Sequence, residues 1–543
     1  MTKILRDPVL FLLFWFVAVP AQAEILRPPH FHELLRFQRS GEPIDVSLFV
    51  DPLPALPVIK AGAGPLELRQ EVREHEFYSG LPATPIWTFN GVSPGPVIEV
   101  ESGQLLEVHW KNALSPIHVL PSREVHAPGM NMEEGLPPVR TTIHLHGAAV
   151  PEAEIRDRFH NNDGWPDDWI VPGETQISVY PNRQSSRMLW YHDHAMGVTA
   201  RNVVAGLSGV YLIRDAYERS LQLPGGAYEI PLVFETKDFT DEGALTYPEV
   251  MSAEVYGSTA PVNGKICPYL RVEPRKYRFR MLNAASARSF AFKLVDANGQ
   301  GDGPALIQIG SDGGFLEKPA TPQRLVLSPA ERADVIVDFS QFGGKTLLLH
   351  NNATAAGGEG QLYLPNIMLF KVDLPLKEPD RSVIPSRFKK IAKARASKRD
   401  VRRRIVLDQV LTPNLPPVMT LNDRVWGDPV MDRIRLGTTE VWEVVNPLFD
   451  THPFHLHLVQ FRVLDRQPID VDEFNRSKAV KPLGQPVAPD EGEQGWKDTV
   501  TLNPGTITRI VSRFGPYTGR FVYHCHILEH EDMGMMRPFE VVK

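Results

Sequence analysis

A chain of 543 residues is too long for a single hydrophobic core, and its length predicts two to four domains. Its composition, 42% hydrophobic and 23% charged, is that of a globular protein and excludes a largely disordered chain. A net charge of -7 gives no reason to expect nucleic acid as a partner, and the two cysteines exclude a disulfide framework.

The first predicted element is an export signal. Lys3 and Arg6 precede an apolar run over residues 9–19, and residues 21–23 form a small-x-small cleavage site. The run is shorter than the about 20 residues that a membrane-spanning helix needs. We therefore predict a cleaved signal peptide over residues 1–23 and export to the periplasm or, as the alternative, out of the cell. An uncleaved anchor is the competing interpretation, and no later stretch predicts stable membrane insertion.

One sequence pattern then occurs three times, beginning at Asn90, Asn263 and Asn422. Each copy has Asn-Gly or Asn-Asp, a proline, an apolar run, a turn and alternating residues, as in 106–110 or 277–281. Alternation is typical of half-buried strands, and copies that lie a whole domain apart indicate a triplicated β-sandwich. The predicted ranges are an N-terminal arm over 24–44 and domains over 45–215, 225–375 and 405–543.

The segment between the second and third domains, residues 376–404, is strongly basic. It carries twelve Lys or Arg residues from Lys377 to Arg404. Such a run is usually a solvated linker, which is our prediction, and a surface for an anionic partner is the alternative.

Ten of the 18 histidines lie in four clusters. In a strand, residues i and i+2 point to the same face, so a His-x-His pair directs two imidazoles into one space. Four such pairs supply eight neutral nitrogen donors, enough for a multinuclear metal centre. The pairs are His144 and His146, His192 and His194, His455 and His457, and His524 and His526.

The stretch "RFVYHCHILEHEDMGMMRP", residues 520–538, places Cys525 between two of these histidines. In a strand, the thiolate and the two imidazoles face opposite sides, so each side can bind metal. Cys525 and His530, with His452 as third ligand and a weak axial thioether, form the blue-copper pattern. Zinc also accepts Cys and His but is redox-inert, whereas copper would let an electron pass from the sulfur to the histidine side.

These clusters and the stretches around them resemble the multicopper oxidase family over nearly the whole mature chain. In detail they are similar to the branch of bacterial spore-coat laccases and bilirubin oxidases. The resemblance implies an all-β fold of three cupredoxin-like Greek-key β-sandwich domains, with a mononuclear copper in domain three and a trinuclear cluster between domains one and three. The motifs that carry it are "WYHDHAMGVTARNVVAGL", "VNGKICPYLRVEPRKYRFR", "IQIGSDGG", "THPFHLHLVQFRVLDRQP", "GWKDT" and "FGPYTGRFVYHCHILEHEDMGMMRP".

The resemblance also implies four copper ions per chain and a ligand set for each. Type 1 copper takes His452, Cys525 and His530 with Met535 axial, type 2 copper takes His144 and His455, one type 3 copper takes His146, His192 and His526, and the other takes His194, His457 and His524. Met533 and Met536 compete for the axial role, and the family spacing of ten residues after the cysteine selects Met535. Two features depart from the branch: the export signal, and Cys267, which we interpret as a small buried residue without metal chemistry.

The activity that the resemblance implies is that of a laccase-like oxidase, a monomer in our prediction. A small aromatic reductant (a phenol, an amine or a tetrapyrrole such as bilirubin) would give up single electrons at type 1 copper, beside the exposed edge of His452 or His530. Four electrons would reduce O2 to water at the trinuclear cluster.

Three alternatives remain. One is oxidation of Cu(I) or Fe(II) in copper tolerance, although the 13 methionines are dispersed and form no long Met-rich insertion. A non-enzymatic scaffold on the same fold would lack ligands, and none of the twelve is missing. A copper nitrite reductase is disfavoured because it would normally have two domains and no His-Cys-His link.

Reduction of O2 also consumes protons, which a nearby acid must supply. Glu531, directly after His530, matches the proton-relay glutamate of the family. Asp163 resembles the acid that orders water near type 2 copper. The competing interpretations are an ion pair between Glu531 and a basic residue and a turn made by Asp163 with Gly164.

Overall fold

The structure, a computed structural model, describes residues 46–543 apart from 122–134, 156, 241, 250–251, 299–300, 354–363, 392–396, 398–399, 412–416 and 430. The predicted signal peptide (1–23) and the predicted arm (24–44) lie outside the described residues. Within the described part of the chain, no helix is both long and apolar enough to cross a membrane.

The strands fall into three groups along the chain. The first group is β1 (Val58–Lys60), β2 (Leu66–His75), β3 (Thr84–Phe89), β4 (Gly95–Glu101), β5 (Leu106–Asn112), β6 (Ile143–His146), β7 (Thr175–Tyr180), β8 (Arg187–Asp193) and β9 (Ser208–Arg214). These strands form two sheets, in the orders β1-β4-β9-β8-β6 and β3-β2-β5-β7.

The second group has two larger sheets and a small ribbon. It comprises β10 (Glu229–Phe234), β11 (Asp238–Phe239), β12 (Leu245–Thr246), β13 (Pro261–Val262), β14 (Lys265–Ile266), β15 (Tyr269–Arg271), β16 (Lys276–Asn283), β17 (Phe290–Asp296), β18 (Ile307–Ser311), β19 (Gly314–Ala320), β20 (Leu325–Leu327), β21 (Arg332–Asp338), β22 (Thr346–Asn351) and β23 (Asn366–Lys371). The sheet orders are β14-β13-β10-β16-β21-β18-β19 and β15-β23-β22-β17-β20, and β11 pairs with β12.

The third group again forms two sheets. It comprises β24 (Val401–Val410), β25 (Val418–Leu421), β26 (Asp432–Arg435), β27 (Thr439–Asn446), β28 (His452–Leu456), β29 (Phe461–Pro468), β30 (Thr499–Leu502), β31 (Thr506–Arg513), β32 (Gly519–Cys525) and β33 (Met536–Val542). The orders are β25-β24-β27-β31-β29 and β26-β33-β32-β28-β30.

Helices are short and join strands. They are α1 (Thr199–Ala205), α2 (Ala216–Ser220), α3 (Val471–Ser477) and α4 (Leu528–Asp532), with 3-10 turns at Val46–Leu48, Gly226–Tyr228 and Glu491–Glu493. In each sandwich one buried apolar cluster takes side chains from both sheets; in the third, for example, Trp442 and Ile510 of one sheet pack with Tyr523 and Phe539 of the other. The predicted all-β sandwich fold is therefore confirmed.

The three sequence repeats adopt one local structure. Asn90, Asn263 and Asn422 all have positive φ, between 49° and 56°, which asparagine tolerates better than most residues. In every copy the asparagine Oδ1 accepts a hydrogen bond from the backbone N–H of a neighbouring strand, at 2.7 to 2.9 Å. The same side-chain contact in all three sandwiches supports the predicted triplication of one domain.

The basic segment 376–404 is shorter as a linker than predicted. Strand β24 begins at Val401 and pairs in parallel with β27, so the last four residues of the range belong to a sheet. Arg402 and Arg404 form ion pairs with Glu443 on that neighbouring strand. The sequence did not predict this strand, because a run of basic residues is typical of a solvated linker. Arginines whose charge is matched across strands are nevertheless compatible with a sheet surface. Earlier in the segment, Phe388 is buried and stacks on Phe315 of the second sandwich.

Candidate metal centres

A sulfur centre lies within the third sandwich. His452 begins β28, Cys525 ends β32 and His530 is on α4. His452 Nδ1 is 3.4 Å from Cys525 Sγ, His530 Nδ1 is 3.7 Å from that sulfur, and the two nitrogens are 3.2 Å apart. An ion equidistant from the corners of this buried triangle would be about 2 Å from each, the length of a bond between a metal and an imidazole nitrogen. The three residues therefore fit the predicted copper.

The backbone ties Met535 to this triangle. Cys525 N–H donates to the Met535 carbonyl (3.1 Å), and Met535 N–H donates to the His530 carbonyl (2.9 Å). Met533 and Met535 are both buried in the apolar cluster that contains Cys525, whereas Met536 packs in a separate cluster. Met536 is thereby disfavoured as axial ligand, and the choice of Met535 over Met533 stays a prediction.

The exposed edge expected for His452 or His530 is not found, because both residues are fully buried. Two carboxylates that the sequence did not single out lie beside the Nε2 atoms of these two rings. Asp450 Oδ1 accepts from His452 Nε2 (3.0 Å), and Glu254 Oε1 lies 3.9 Å from His530 Nε2. Burial raises the pKa of Glu254 to about 7. Burial by itself would also raise the pKa of Asp450. The hydrogen bond from His452 has the larger effect and lowers this pKa to about 2. Asp450 could have been noticed two residues before His452, whereas Glu254 comes from another domain and gives no local signal.

An imidazole centre lies between the first and third sandwiches. Strands β6 and β8 pair His144 with His192, and strands β28 and β32 pair His455 with His524. Across the domain boundary, His146 stacks on His455 with ring centroids 3.6 Å apart. All eight residues of the predicted trinuclear set are buried at this boundary: His144, His146, His192, His194, His455, His457, His524 and His526.

The ring nitrogens show which atoms are available to a metal. The Nδ1 atoms of His144, His192 and His455 donate to backbone carbonyls at 2.5, 2.8 and 2.8 Å. Their Nε2 atoms are buried and have no hydrogen-bond partner within the described residues. Such buried, unpaired acceptors are rare unless a ligand satisfies them. A carbonyl that fixes one ring nitrogen while the other faces a metal is the usual arrangement around protein-bound metals.

One predicted ligand set converges directly. The Nε2 atoms of His194 and His457 each lie 3.3 Å from the Nε2 atom of His524, and these three residues could together hold one ion. Burial, assisted by the neighbouring imidazoles, lowers the pKa of His457 well below its usual range. Burial lowers the pKa of His194 to about 4. Imidazoles kept neutral in this way are in the form that binds metal. How the other five rings divide between type 2 and type 3 copper stays a prediction.

Glu531 lies between two imidazoles of this centre. Its Oε2 is 3.0 Å from His524 Nδ1, its Oε1 is 3.4 Å from His194 Nδ1, and Thr199 Oγ1 donates to Oε1 (3.0 Å). Burial raises the pKa of Glu531, but the two imidazoles outweigh burial and lower it to about 2. The alternative of a partner Lys or Arg finds no such ion pair among the described residues.

Asp163 contacts two imidazoles of this centre. Its Oδ2 accepts from His457 Nδ1 at 2.9 Å, and its carbonyl accepts from His144. It also precedes the turn at Gly164, whose φ is +76° and where a Cβ would come within 2.7 Å of the His144 backbone. Burial raises the pKa of Asp163 well above its usual range. Asp163 lines a cleft together with Glu152 and Arg520, whose side chains are more exposed.

Comparison with known proteins decides the family. Two family models described as multicopper oxidase match residues 130–218 and 402–543. A laccase from Bacillus stratosphericus is 41% identical over 92% of this chain and 100% of its own length, and a laccase from Bacillus subtilis (strain 168) is 39% identical over 88% and 94%. The solved structure of the McoA multicopper oxidase from Aquifex aeolicus matches with a TM-score of 0.74 and 26% identity, over 91% of this chain and 99% of that one. The chain belongs to the multicopper oxidase family.

Membership confirms several predictions. The sandwiches are cupredoxin-like, and the protein is a laccase-like copper oxidoreductase that uses oxygen as its electron acceptor. Multicopper oxidases bind four copper ions per chain, in type 1, type 2 and type 3 sites, and the sulfur and imidazole centres supply donors suited to them. Cys267 is buried, and its Sγ lies 3.5 Å from the Asn366 carbonyl, far in sequence from either centre.

Proposed function

We propose that this multicopper oxidase takes single electrons from small aromatic molecules at the sulfur centre and passes them to O2 at the imidazole centre. The observation that carries the proposal is the link through β32 and the residue after it. The Cys525 side chain belongs to the sulfur centre, and the rings of its two neighbours, His524 and His526, belong to the imidazole centre with centroids 5.4 Å apart. An electron that arrives at the sulfur is therefore separated from the second centre by a short stretch of backbone.

The protein's own residues prepare each centre for the metal. Burial raises the pKa of the Cys525 thiol well above its usual range, so the thiolate forms only as a metal displaces the proton. Bound copper would supply the one-electron redox change at the sulfur centre and the reduction of O2 at the imidazole centre. Asp450, at 3.0 Å from His452 Nε2, fixes the tautomer that leaves Nδ1 for the metal.

We assign proton supply to Glu531 and water ordering to Asp163. Four protons are consumed for each O2 reduced to water, and the imidazoles are committed to metal. Glu531 contacts two imidazoles of the centre, and its carboxylate form suits the first step of a relay, acceptance of a proton. Asp163 lies between His457 and the cleft, which supports a role beside water entering from that side.

A second candidate activity is oxidation of a metal ion, and one observation favours it. Glu254 and Asp450 present carboxylates beside the outer nitrogens of His530 and His452. Carboxylate oxygens suit Fe(II) better than Cu(I), which prefers thioethers and thiolates. The same carboxylates could accept the proton that a phenol releases on oxidation. Phe449, which precedes Asp450 in the chain, is 70% exposed and suits an aromatic substrate.

Oxygen uptake by the copper-loaded enzyme tests these two candidates. The initial rate is measured with a phenol, bilirubin, Fe(II) and Cu(I), for the wild type and for Glu254→Gln. The proposal predicts the highest kcat/KM for the phenol or bilirubin. A kcat/KM that is highest for Fe(II) and collapses in Glu254→Gln would instead establish the metal-ion oxidase. The matched control is Glu249→Gln, because Glu249 is exposed and lies five residues earlier in the chain. This variant should leave kcat/KM unchanged both for the aromatic substrates and for Fe(II).

We also propose that residues 1–23 are removed on export to the periplasm or the medium, that the mature enzyme is a monomer, and that its domains span 45–215, 225–375 and 405–543. The support is the composition of the N-terminus and the three repeats. N-terminal sequencing of the protein from separated cell fractions tests the cleavage site and the compartment. A mature protein that begins at Met1 would contradict the proposal.

A further inference from the structure

A buried ion pair joins the second and third sandwiches next to the imidazole centre. Arg332, the first residue of β21, donates from Nη1 to Asp498 Oδ1 and from Nη2 to Asp498 Oδ2, both at 2.6 Å. Asp498 immediately precedes β30 of the third sandwich. Both side chains are fully buried, and the paired hydrogen bonds hold the carboxylate in one plane and one rotamer.

Asp498 contacts two predicted copper ligands, one in the first sandwich and one in the third. Its Oδ1 lies 3.1 Å from Nε2 of His146 in the first sandwich, and its carbonyl accepts from Nδ1 of His455 in the third (2.8 Å). A carboxylate can only accept, so Nε2 of His146 carries the proton. The Nδ1 atom of His146 is then the lone pair available to a metal, and it has no hydrogen-bond partner in the described part of the chain.

This tautomer is the reverse of that in the neighbouring rings. His144, His192 and His455 are protonated at Nδ1 through backbone carbonyls and offer Nε2. The carbonyls that fix those three rings belong to the backbone of Asp163, Asp193 and Asp498. Nε2 of His146 instead contacts two side chains of the third sandwich, Asp498 Oδ1 at 3.1 Å and Thr499 Oγ1 at 3.0 Å. Control of this one ring therefore lies outside its own domain.

The carboxylate is itself unsuited to bind metal, although it lies close enough to His146 and His455 to complete a three-residue site. Arg332 occupies both of its oxygens, and Thr499 Oγ1 also donates to Oδ1 at 3.1 Å. The guanidinium charge at 2.6 Å disfavours a second cation there. Gly147, the residue after His146, permits the approach, because a Cβ at this position would come within 2.5 Å of Asp498 Oδ2.

The Arg332 side chain is itself held from several directions. Its Nη1 donates to the Ala330 carbonyl (3.0 Å) and its Nε to the Met188 carbonyl of β8 in the first sandwich (3.2 Å). Its backbone N–H donates to Asp312 Oδ1 (2.8 Å). The guanidinium thus contacts all three sandwiches at one point, and a lysine could not reproduce its planar, two-pronged contact with Asp498.

We propose that Asp498, held by Arg332, is a positioning residue that fixes the ring and tautomer of His146, so that the second domain controls a copper site to which it gives no predicted ligand. The inference rests on the proposed role of His146 as a copper ligand. Substituting the group that orients a metal-bound histidine typically weakens metal binding about 10- to 100-fold. The effect should fall on the imidazole centre and leave the sulfur centre, which lies within the third sandwich, unchanged.

The test compares copper retention in Asp498→Asn, Arg332→Lys and His146→Gln with the wild type. Each copper-loaded protein is dialysed against graded concentrations of a copper chelator, and copper per chain is measured together with the blue absorption of the sulfur centre. The matched control is Arg466→Lys, because Arg466 makes the same two-pronged contact with Glu493, at 2.7 and 2.6 Å, without touching a predicted ligand among the described residues.

We expect Asp498→Asn and Arg332→Lys to lose copper from the imidazole centre at about 10- to 100-fold lower chelator concentration, with the blue absorption per chain retained. Arg466→Lys should retain copper like the wild type.

If His146→Gln loses copper while Asp498→Asn and Arg332→Lys behave like the control, the positioning role is overturned and the ligand assignment stands. If His146→Gln keeps all its copper, the ligand assignment itself fails. Copper loss in Asp498→Asn but not in Arg332→Lys would show that Arg332 does not hold Asp498 in place, and would also overturn the proposal. Should Asp498→Asn fail to fold, Arg332→Lys, which keeps the positive charge, decides.

Discussion

The sulfur centre and the imidazole centre are built in different ways. Every predicted ligand of the sulfur centre comes from the third sandwich, where the register of β28 against β32 brings His452 and Cys525 together. The imidazole centre takes half of its rings from the first sandwich and half from the third, and these rings stack across the boundary. The first centre therefore depends on the fold of one domain and the second on how domains dock. Substitutions can therefore alter one centre and leave the other unchanged.

The largest effect should come from the residue that belongs to the sulfur centre alone. Cys525→Ser should abolish the blue absorption, because serine is a hard and poorly acidic ligand that cannot replace the thiolate. The imidazole centre should keep its copper, so copper per chain should fall by one ion only. The measurement is elemental analysis together with the visible spectrum. A Cys525→Ser protein that stayed blue would refute the assignment.

A second substitution acts on the imidazole centre alone. Glu531→Gln keeps the size of the side chain and its ability to form hydrogen bonds but removes the carboxylate that accepts a proton and passes it on. Reduction by substrate and the blue absorption should be unaffected, whereas reoxidation of the reduced enzyme by O2 should slow by about 100-fold or more. Stopped-flow mixing with O2 measures this step, and Glu531→Asp, which keeps a carboxyl group, should recover part of the rate. An unchanged rate in Glu531→Gln would leave Glu531 with a structural role only.

A third, smaller effect distinguishes two methionines within the sulfur centre. Met535→Leu should leave the site blue, because the three strong ligands remain, and should raise the reduction potential, because a donor that favours Cu(II) has been removed. Met533→Leu is the matched control and should change the potential little. A redox titration followed at the blue absorption band compares them. A shift in Met533→Leu without one in Met535→Leu would show that the ten-residue spacing selects the wrong methionine.

The smallest effect concerns a half-buried histidine outside both centres, His118. Burial lowers the pKa of His118 to about 3, and its Nε2 donates to Asn202 Oδ1. Because the unfolded chain binds this proton near pH 6.5 and the folded chain does not, stability is lost as the pH falls from about 6.5 towards 3. In metal-free His118→Gln, the free energy of unfolding should fall less steeply between pH 6 and 4, by at most about 1.4 kcal/mol per pH unit. Urea unfolding at several pH values measures the slopes. Equal slopes in the two proteins would mean that His118 is protonated in the folded state.

The sequence was most informative where a feature is local. His-x-His spacing on strands predicted the imidazole centre, because alternation within one strand decides which side chains share a face. The three asparagine repeats likewise predicted three sandwiches, and all three asparagines make the same contact.

What the sequence could not supply are partners brought together by domain docking. Arg332 and Asp498 are 166 positions apart, and Glu254 meets His530 from another sandwich. Arg332, Asp498 and Glu254 belong to no regular spacing in the sequence, because a single contact between domains imposes no periodicity. The start of β24 was missed for a different reason: at Arg402 and Arg404 the charges are balanced by Glu443 on the neighbouring strand, which the linear sequence does not reveal.

The most direct test of the account is anomalous diffraction from crystals of the copper-loaded protein at the copper absorption edge. We predict one peak between His452 Nδ1, Cys525 Sγ and His530 Nδ1, and three peaks among the eight imidazoles, one of them between His194, His457 and His524. No peak should lie against the carboxylate of Asp498. A sulfur triangle without copper, or a copper ion bound by Asp498, would contradict it.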